Sequence, residues 1–165
     1  MIEIYTDGAS SGNPGPGGYG TILRTIYQGK EEQFRGKLYE KEFSGGDRLT
    51  TNNRMELMAV IVGLEALKKP GQKVTVFSDS KYFIDAIDKK WVYGWMKKGF
   101  AGKKNKDLWE RLLRSYRLHQ VQLVWVKGHA GHPLNERCDS LAVAASKNQA
   151  EWKVDTEFER SRNDL

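Results

Sequence analysis

Cysteine is almost absent from this 165-residue sequence, and so is any long apolar segment. The single cysteine, Cys138, has no second cysteine with which to form an internal disulfide, which is typical of proteins from a reducing compartment. No apolar run approaches the roughly 18 residues that a membrane-spanning helix needs. Met1 leads directly into "IEIYTDG", which resembles a strand and not a secretory signal. We therefore expect a cytoplasmic protein with no membrane partner.

Acidic residues are scarce in one part of the chain. Between Lys89 and Trp109, in "KKWVYGWMKKGFAGKKNKDLW", there are seven lysines and one acid, Asp107. Seven minus one is +6, which equals the net charge of the whole sequence, so the remainder is balanced. A localised basic segment of this kind indicates a polyanionic partner. We refer to residues 89–109 as the basic segment.

The predicted elements are three strands followed by alternating helices and strands. Periodicity and turn residues predict strands at 1–7, 19–28, 31–43, 73–79 and 120–126, and helices at about 55–67, 80–88, 106–119 and 133–150. The early strands, joined by hairpins, indicate antiparallel pairing, and the later strand–helix–strand units indicate parallel pairing. With no internal repeat and no linker, the sequence predicts one mixed α/β domain.

Two aspartates stand where predicted strands end. Asp7 closes the first strand and Asp79 closes the fourth. Ligands of open α/β sheets bind outside the carboxyl ends of the strands, so the pair is a candidate site for a hard cation. Each residue also has an ordinary structural explanation, because Asp before Gly favours a turn and Asp before a helix favours a cap.

Glu56 is unusual because it begins a helix that is otherwise almost wholly apolar from Met55 to Leu67. Glu56 and Glu65 are nine residues apart, about 900° of helical rotation, so they lie on opposite sides of the helix. We expect Glu65 to be solvated and Glu56 to point toward the strand ends, although a favourable interaction with the helix dipole would also explain it. Asp139, in the last helix, taken alone reads as a solvent-facing residue.

Four segments together resemble one known family. "YTDGASSGNPGPGGYG", "TTNNRMELMAVIVGLEAL", "VFSDSKY" and "VKGHAGHPLNERCDSLA" occur in order and at fitting spacing across residues 2 to 146, and they resemble type 1 ribonuclease H in its bacterial single-domain form. The resemblance implies a five-stranded mixed sheet flanked by helices. It implies a catalytic domain over residues 1–150, in which the basic segment is a substrate-binding handle. Residues 151–165 form a tail with no assigned role.

The resemblance also implies the chemistry. Asp7, Glu56, Asp79 and Asp139 would be the four metal-binding carboxylates, holding two Mg²⁺ ions, with Mn²⁺ a possible substitute. His129, in the loop "KGHAGHP", resembles the catalytic histidine of the family, whereas His132 is expected to be structural. The implied activity is endonucleolytic hydrolysis of the RNA strand of RNA–DNA hybrids, leaving 5′-phosphate and 3′-hydroxyl ends. A non-catalytic hybrid-binding protein and a DNA-cutting nuclease or recombinase of the same fold are the alternatives.

The resemblance extends to the substrate contacts of an expected monomer. The polar residues before the long helix would bind the backbones and 2′-hydroxyls of the hybrid, with capping as the structural alternative for Thr51 and Asn52. Lys81 stands where many family members carry Gln. The lysine would exchange a base or sugar contact for a phosphate contact. The predicted substrate-binding residues are Asn13, Thr51, Asn52, Asn53, Arg54, Lys81, Lys89, Lys90, Trp91, Trp95, Lys97 and Lys98. Trp109, also in the basic segment, is expected to lie in the core.

Overall fold

A computed structural model of the chain describes residues 1–127 and 131–163. Its centre is a five-stranded sheet in the order β3-β2-β1-β4-β5. The strands are β1 (Ile2–Ser10), β2 (Gly15–Ile26), β3 (Leu38–Thr50), β4 (Lys73–Ser78) and β5 (Gln120–Trp125). β1 to β3 pair antiparallel, and β4 pairs parallel with both β1 and β5. The predicted fold class is therefore confirmed.

Six α-helices accompany the sheet in the part of the chain that the structure describes. They are α1 (Asn52–Glu65), α2 (Lys81–Asp88), α3 (Trp91–Lys97), α4 (Lys106–Tyr116), α5 (Pro133–Lys147) and α6 (Thr156–Asn163). None of the described helices has the length and apolar character required to cross a bilayer. Two polar side chains begin helices as N-caps: Thr51 accepts from the Arg54 N–H, and Ser80 accepts from the Phe83 N–H.

The larger hydrophobic core joins α1, α2 and α4 to the sheet, and a smaller one surrounds Tyr5, Ile22 and Cys138 beneath α5. Trp109 is fully buried in the larger core, as the sequence predicted. Cys138 is also fully buried and packs as a small apolar residue. The close seating of α5 depends on glycine, because a Cβ at Gly20 would lie 2.3 Å from the Cys138 carbonyl oxygen.

The third strand differs most from its prediction. It spans Leu38–Thr50 instead of 31–43, and Glu32–Phe34 forms a short 3-10 turn. The stretch from Ser44 onward, which lies beyond the predicted end of the strand, pairs with β2, and its Gly46 lies against α5, where a Cβ would meet the Ala145 carbonyl oxygen at 2.3 Å. Glycine there is a packing requirement and not a turn signal.

The tail beyond α5 packs against the edge strand β3. The Lys153 N–H donates to the Gly46 carbonyl at 2.9 Å, and the Arg48 N–H donates to the Lys153 carbonyl at the same distance. Asp155 then accepts from the Thr50 hydroxyl at 2.7 Å. These bonds hold the tail beside the strand that leads into α1.

Candidate metal-dependent active site

Three carboxylates that are distant in sequence converge at one edge of the sheet. Asp7 lies on β1, Glu56 in the first turns of α1 and Asp79 directly after β4. One oxygen from each lies within 4.8 Å of the other two. Because β1 and β4 are parallel neighbours, their carboxyl ends meet at the same edge, which explains why the two aspartates come together. Glu56 points toward them while Glu65 is exposed and pairs with Arg111, so the predicted division between the two glutamates is confirmed.

A close contact between β1 and α1 brings Glu56 to the site. A Cβ at Gly8 would lie 2.4 Å from the Glu56 backbone nitrogen and 2.6 Å from the Met55 carbonyl carbon. Only glycine allows the helix to approach the strand this closely. The Gly8 N–H also donates to Asp7 Oδ1 at 2.9 Å, which orients the Asp7 carboxylate.

The crowding of the carboxylates raises their pKa values. Burial raises the pKa of Asp7 to about 8, and the negative charge of Asp79 and hydrogen bonding with Asp139 add to the shift. Burial also raises the pKa of Glu56 well above its usual value, again with contributions from Asp7 and Asp79. Simultaneous ionisation of these carboxyl groups is therefore unfavourable in the metal-free site. A bound cation would offset their negative charge and make the ionised forms favourable.

Asp139 reaches the site from the opposite face of the sheet. It lies on α5, is half-buried and hydrogen-bonds with Asp7. Its neighbour Cys138 is buried against β2, which fixes the helix and leaves Asp139 directed at the carboxylates. The structure thus places Asp139 beside Asp7, whereas the compact group of three consists of Asp7, Glu56 and Asp79.

The donor set suits a hard divalent cation. All the converging ligands are carboxylate oxygens, which Mg²⁺ and Mn²⁺ prefer over the softer transition metals. Glu56 is 4% exposed, and its Oε2 is buried without a hydrogen-bond partner among the described residues. A buried carboxylate oxygen left without a donor is costly, and a bound cation would satisfy it.

Polar residues at the start of α1 form a small surface beside the carboxylates. Asn13, from the loop between β1 and β2, accepts from the Asn52 N–H through its Oδ1 at 3.1 Å. Thr51 caps the helix, which is the structural alternative considered for it. Asn13 and Asn53 are exposed, and Thr51 and Asn52 are half-buried, so the four predicted substrate contacts lie together with their polar groups accessible.

Arg54 is placed differently from its neighbours. It is 4% exposed, and its guanidinium donates to Asp155 at 2.7 Å and to Asp107 at 2.7 Å. It also donates to Asn105 Oδ1 at 3.3 Å. The position favours a structural role for Arg54 over the predicted contact with substrate, because its donors are occupied inside the protein. Sequence reasoning missed its partner Asp155, although an Asp followed by "TEFER" is a typical helix-cap pattern.

The basic segment is a surface element centred on α3. Trp91 is 48% exposed with the Lys89 ammonium 5.1 Å from its ring centre, and Trp95 is half-buried against Trp109. Val92 and Phe100 anchor the segment in the core. The remaining predicted lysines are all exposed, namely Lys81, Lys90, Lys97 and Lys98.

Of the two loop histidines, His132 belongs to the described residues. His129 lies outside the described residues, and its proposed role stays a prediction. His132 packs against Tyr5, with ring centres 5.2 Å apart, and against Phe77, with ring centres 6.1 Å apart. Tyr5 and Phe77 stack on each other two residues before Asp7 and Asp79, so His132 helps to form the floor beneath the carboxylates. This position agrees with the structural role expected for it.

Comparison with known proteins points to one family. Residues 1–147 match the family model for RNase H. The ribonuclease H of Lachnoclostridium phytofermentans is 56% identical over 151 residues, which cover 88% of this chain and 91% of that protein. The ribonuclease H of Salmonella arizonae is 54% identical over 153 residues, which cover 90% of each chain.

Solved structures give the same result. LC9-RNase H1, a type 1 RNase H with the type 2 active-site motif, is similar with a TM-score of 0.78 and 32% identity, over 90% of this chain and 72% of that one. LC11-RNase H1, solved in complex with RNA/DNA hybrid, is similar with a TM-score of 0.54 and 25% identity, over 88% of this chain and 96% of that one.

Proposed function

The chain belongs to the RNase H family, and from this membership we propose that it is a metal-dependent endoribonuclease that cuts the RNA strand of RNA–DNA hybrids. The observation that carries the proposal is the convergence of Asp7, Glu56 and Asp79 at the carboxyl edge of β1 and β4. A non-catalytic hybrid-binding protein would have no need for buried, mutually repelling carboxylates. The cytoplasmic location and the monomeric state stay predictions.

We propose that Asp7, Glu56, Asp79 and Asp139 hold two Mg²⁺ ions, with Mn²⁺ a possible substitute. Two such ions, when bound, would supply the Lewis acidity for activating the attacking water and stabilising the leaving oxygen, and the expected products carry 5′-phosphate and 3′-hydroxyl ends. Glu56 would use its Oε2 atom, which has no hydrogen-bond partner within residues 1–127 and 131–163. Asp7 is oriented by the Gly8 N–H and would connect Glu56 and Asp79 on one side with Asp139 on the other.

Substrate selection is assigned to two surfaces within a catalytic domain of residues 1–150. Asn13, Thr51, Asn52 and Asn53 present amide and hydroxyl groups beside the carboxylates, and these suit the 2′-hydroxyls and phosphates of the RNA strand. The basic segment would bind the DNA strand of the hybrid through its exposed lysines and Trp91. His129 is proposed to transfer a proton during water attack or product departure.

The test uses three labelled duplexes: an RNA–DNA hybrid labelled on either strand, a duplex RNA and a duplex DNA. Each is incubated with the protein and with Asp79→Asn, in Mg²⁺, in Mn²⁺ and in EDTA. We expect cutting of the hybrid's RNA strand alone, dependent on the metal and lost in the variant. Extension of the fragments by a DNA polymerase would demonstrate their 3′-hydroxyl ends.

Two results would contradict the proposal. Tight hybrid binding without cutting in either metal would indicate a binding protein with a vestigial site. Cutting of duplex DNA at a comparable rate would indicate a nuclease or recombinase of the same fold.

His129→Ala should slow turnover and leave metal affinity unchanged, as measured by calorimetry.

A further inference from the structure

An exposed tryptophan lies directly beside the carboxylates. Trp125 is the last residue of β5 and is 44% exposed. Its indole Nε1 donates to the Asp79 carbonyl oxygen at 3.3 Å, so the ring is tied to the backbone of one of the three converging carboxylate residues. A partly exposed indole held at this position is available to contact a ligand that lies over the carboxylates.

A lysine covers this ring. Lys81 is the first residue of α2, and its ammonium nitrogen lies 4.5 Å from the centre of the Trp125 ring. Ser80, between Asp79 and Lys81, caps the helix through the Phe83 N–H, so the backbone that carries Lys81 is fixed relative to Asp79. An ammonium over an indole keeps N–H groups free for an anion.

Together the two side chains match the chemistry of a nucleotide. An indole stacks on a base or sugar regardless of sequence, and an ammonium binds the phosphate attached to it. Because Trp125 is bonded to the Asp79 carbonyl oxygen and the Lys81 ammonium lies over its ring, the nucleotide that they contact must lie close to the phosphate that is cut. Under the proposed function, on which this inference rests, the strand that is cut is the RNA strand, so the contacted nucleotide belongs to it.

We propose that Trp125 and Lys81 form a binding subsite for the RNA nucleotide next to the scissile phosphate. Trp125 stacks on its sugar or base, and Lys81 binds its phosphate. The subsite thereby helps to set which phosphodiester is placed over the carboxylates, in addition to contributing affinity.

The experiment compares Trp125→Leu, Trp125→Phe and Lys81→Gln with the wild type on an end-labelled hybrid, recording KM, kcat and the ladder of cleavage sites. We expect Trp125→Leu to raise KM about threefold to tenfold and to redistribute the cleavage sites, with Trp125→Phe closer to wild type because stacking is retained. Lys81→Gln should reduce the slope of log KM against log salt by about one, since one phosphate contact is lost.

The basic segment provides a matched control. Lys89 and Trp91 form a similar pair, with Trp91 48% exposed, but the Lys89 ammonium pairs with Asp85 of α2, which is not one of the converging carboxylate residues. Lys89→Gln and Trp91→Leu should raise KM without moving the cleavage sites. If they shift the ladder as much as Trp125→Leu does, the assigned position of the subsite is wrong.

The outcomes separate this inference from the proposed function. Failure of the wild type to cut the hybrid refutes the proposed function. Normal wild-type cutting, with KM, ladder and salt slope unchanged in all three variants, refutes the subsite alone. Thermal melts accompany the assays, and if Trp125→Leu is unfolded, the salt slope and the cleavage ladder of Lys81→Gln decide.

Discussion

Asp7 and Glu56 are buried acids whose pKa values are raised by burial and by neighbouring carboxylates. A carboxyl group with a higher pKa in the folded than in the unfolded state binds its proton more tightly when folded. Its ionisation therefore destabilises the fold over the interval between the two values. For Asp7 the interval runs from about 4 to about 8, so the metal-free protein should lose stability as the pH rises through it.

Asp7→Asn should consequently stabilise the metal-free protein at pH 8, by an amount on the order of a few kcal/mol, because it removes an ionised group from a crowded site. The gain should shrink toward pH 4, where Asp7 is already protonated. Thermal melts in EDTA across this range, compared with melts in Mg²⁺, measure the effect. A gain that is equal at both pH values would show that Asp7 ionisation is not its cause.

The site was predictable at the residue scale where chemistry and geometry act locally. Asp79 directly follows β4, Asp7 lies on β1 three residues before that strand ends, and Glu56 is opposite Glu65 on one helix, so the sequence carries their approximate placement. Arg54 was not predictable, because its partners Asp107 and Asp155 lie 53 and 101 residues away. A polar residue beside asparagines that are predicted to bind substrate is interpreted as another contact until the fold shows that it is buried.

At the scale of elements, the contact between α1 and β1 determines where Glu56 lies. Gly8→Ala should cost about 2–3 kcal/mol or more and reduce activity strongly, because the new methyl overlaps the Glu56 backbone and pushes the helix away. The control is Gly94→Ala in α3, where a Cβ meets nothing within 4 Å and helix propensity favours alanine by up to about 1 kcal/mol. Urea unfolding and hybrid cleavage report both effects. Full activity in Gly8→Ala would mean that Glu56 does not depend on this contact.

The tail, residues 151–163 of the described chain, contributes to the packing of the fold. Asp155 is 10% exposed and shares the buried Arg54 guanidinium with Asp107. Asp155→Ala should cost about 3 kcal/mol, because it leaves a buried arginine with one carboxylate instead of two. Glu65→Ala breaks the exposed pair with Arg111 and should change stability by less than about 1 kcal/mol. Equal melting temperatures for the two variants would show that Asp155 contributes no more than a surface pair.

Elements were predictable where periodicity and composition agree, as in α1, α4 and the parallel strands. Elements were not predictable where glycine can either mark a turn or allow close packing within a strand. Gly45 and Gly46 lie beyond the predicted end of the third strand, yet they continue β3, and they are glycine because Tyr19 and α5 approach the strand too closely for a side chain. The bonds between the tail and Gly46, Arg48 and Thr50 depend on the same strand, so a misread strand also concealed the packing of the tail.

For the molecule as a whole, the arrangement of charge separates catalysis from binding. The basic segment carries a charge equal to the net +6 of the chain, and the carboxylates that repel a polyanion lie at the edge of the sheet. A polyanionic substrate would therefore be attracted by the basic segment and tolerated at the carboxylates only when cations are bound.

Replacing Lys97 and Lys98 with Gln tests this division. Both are exposed, so stability should be unchanged, while KM for the hybrid should rise at physiological salt and kcat should stay within about twofold of the wild type. The slope of log KM against log salt should fall by up to about two. Gln at Lys68 and Lys69, an exposed pair beyond the far end of α1, removes the same charge and should leave the slope unchanged. If both double variants lower the slope equally, the substrate is attracted by the net charge of the molecule and the basic segment is no specific binding surface.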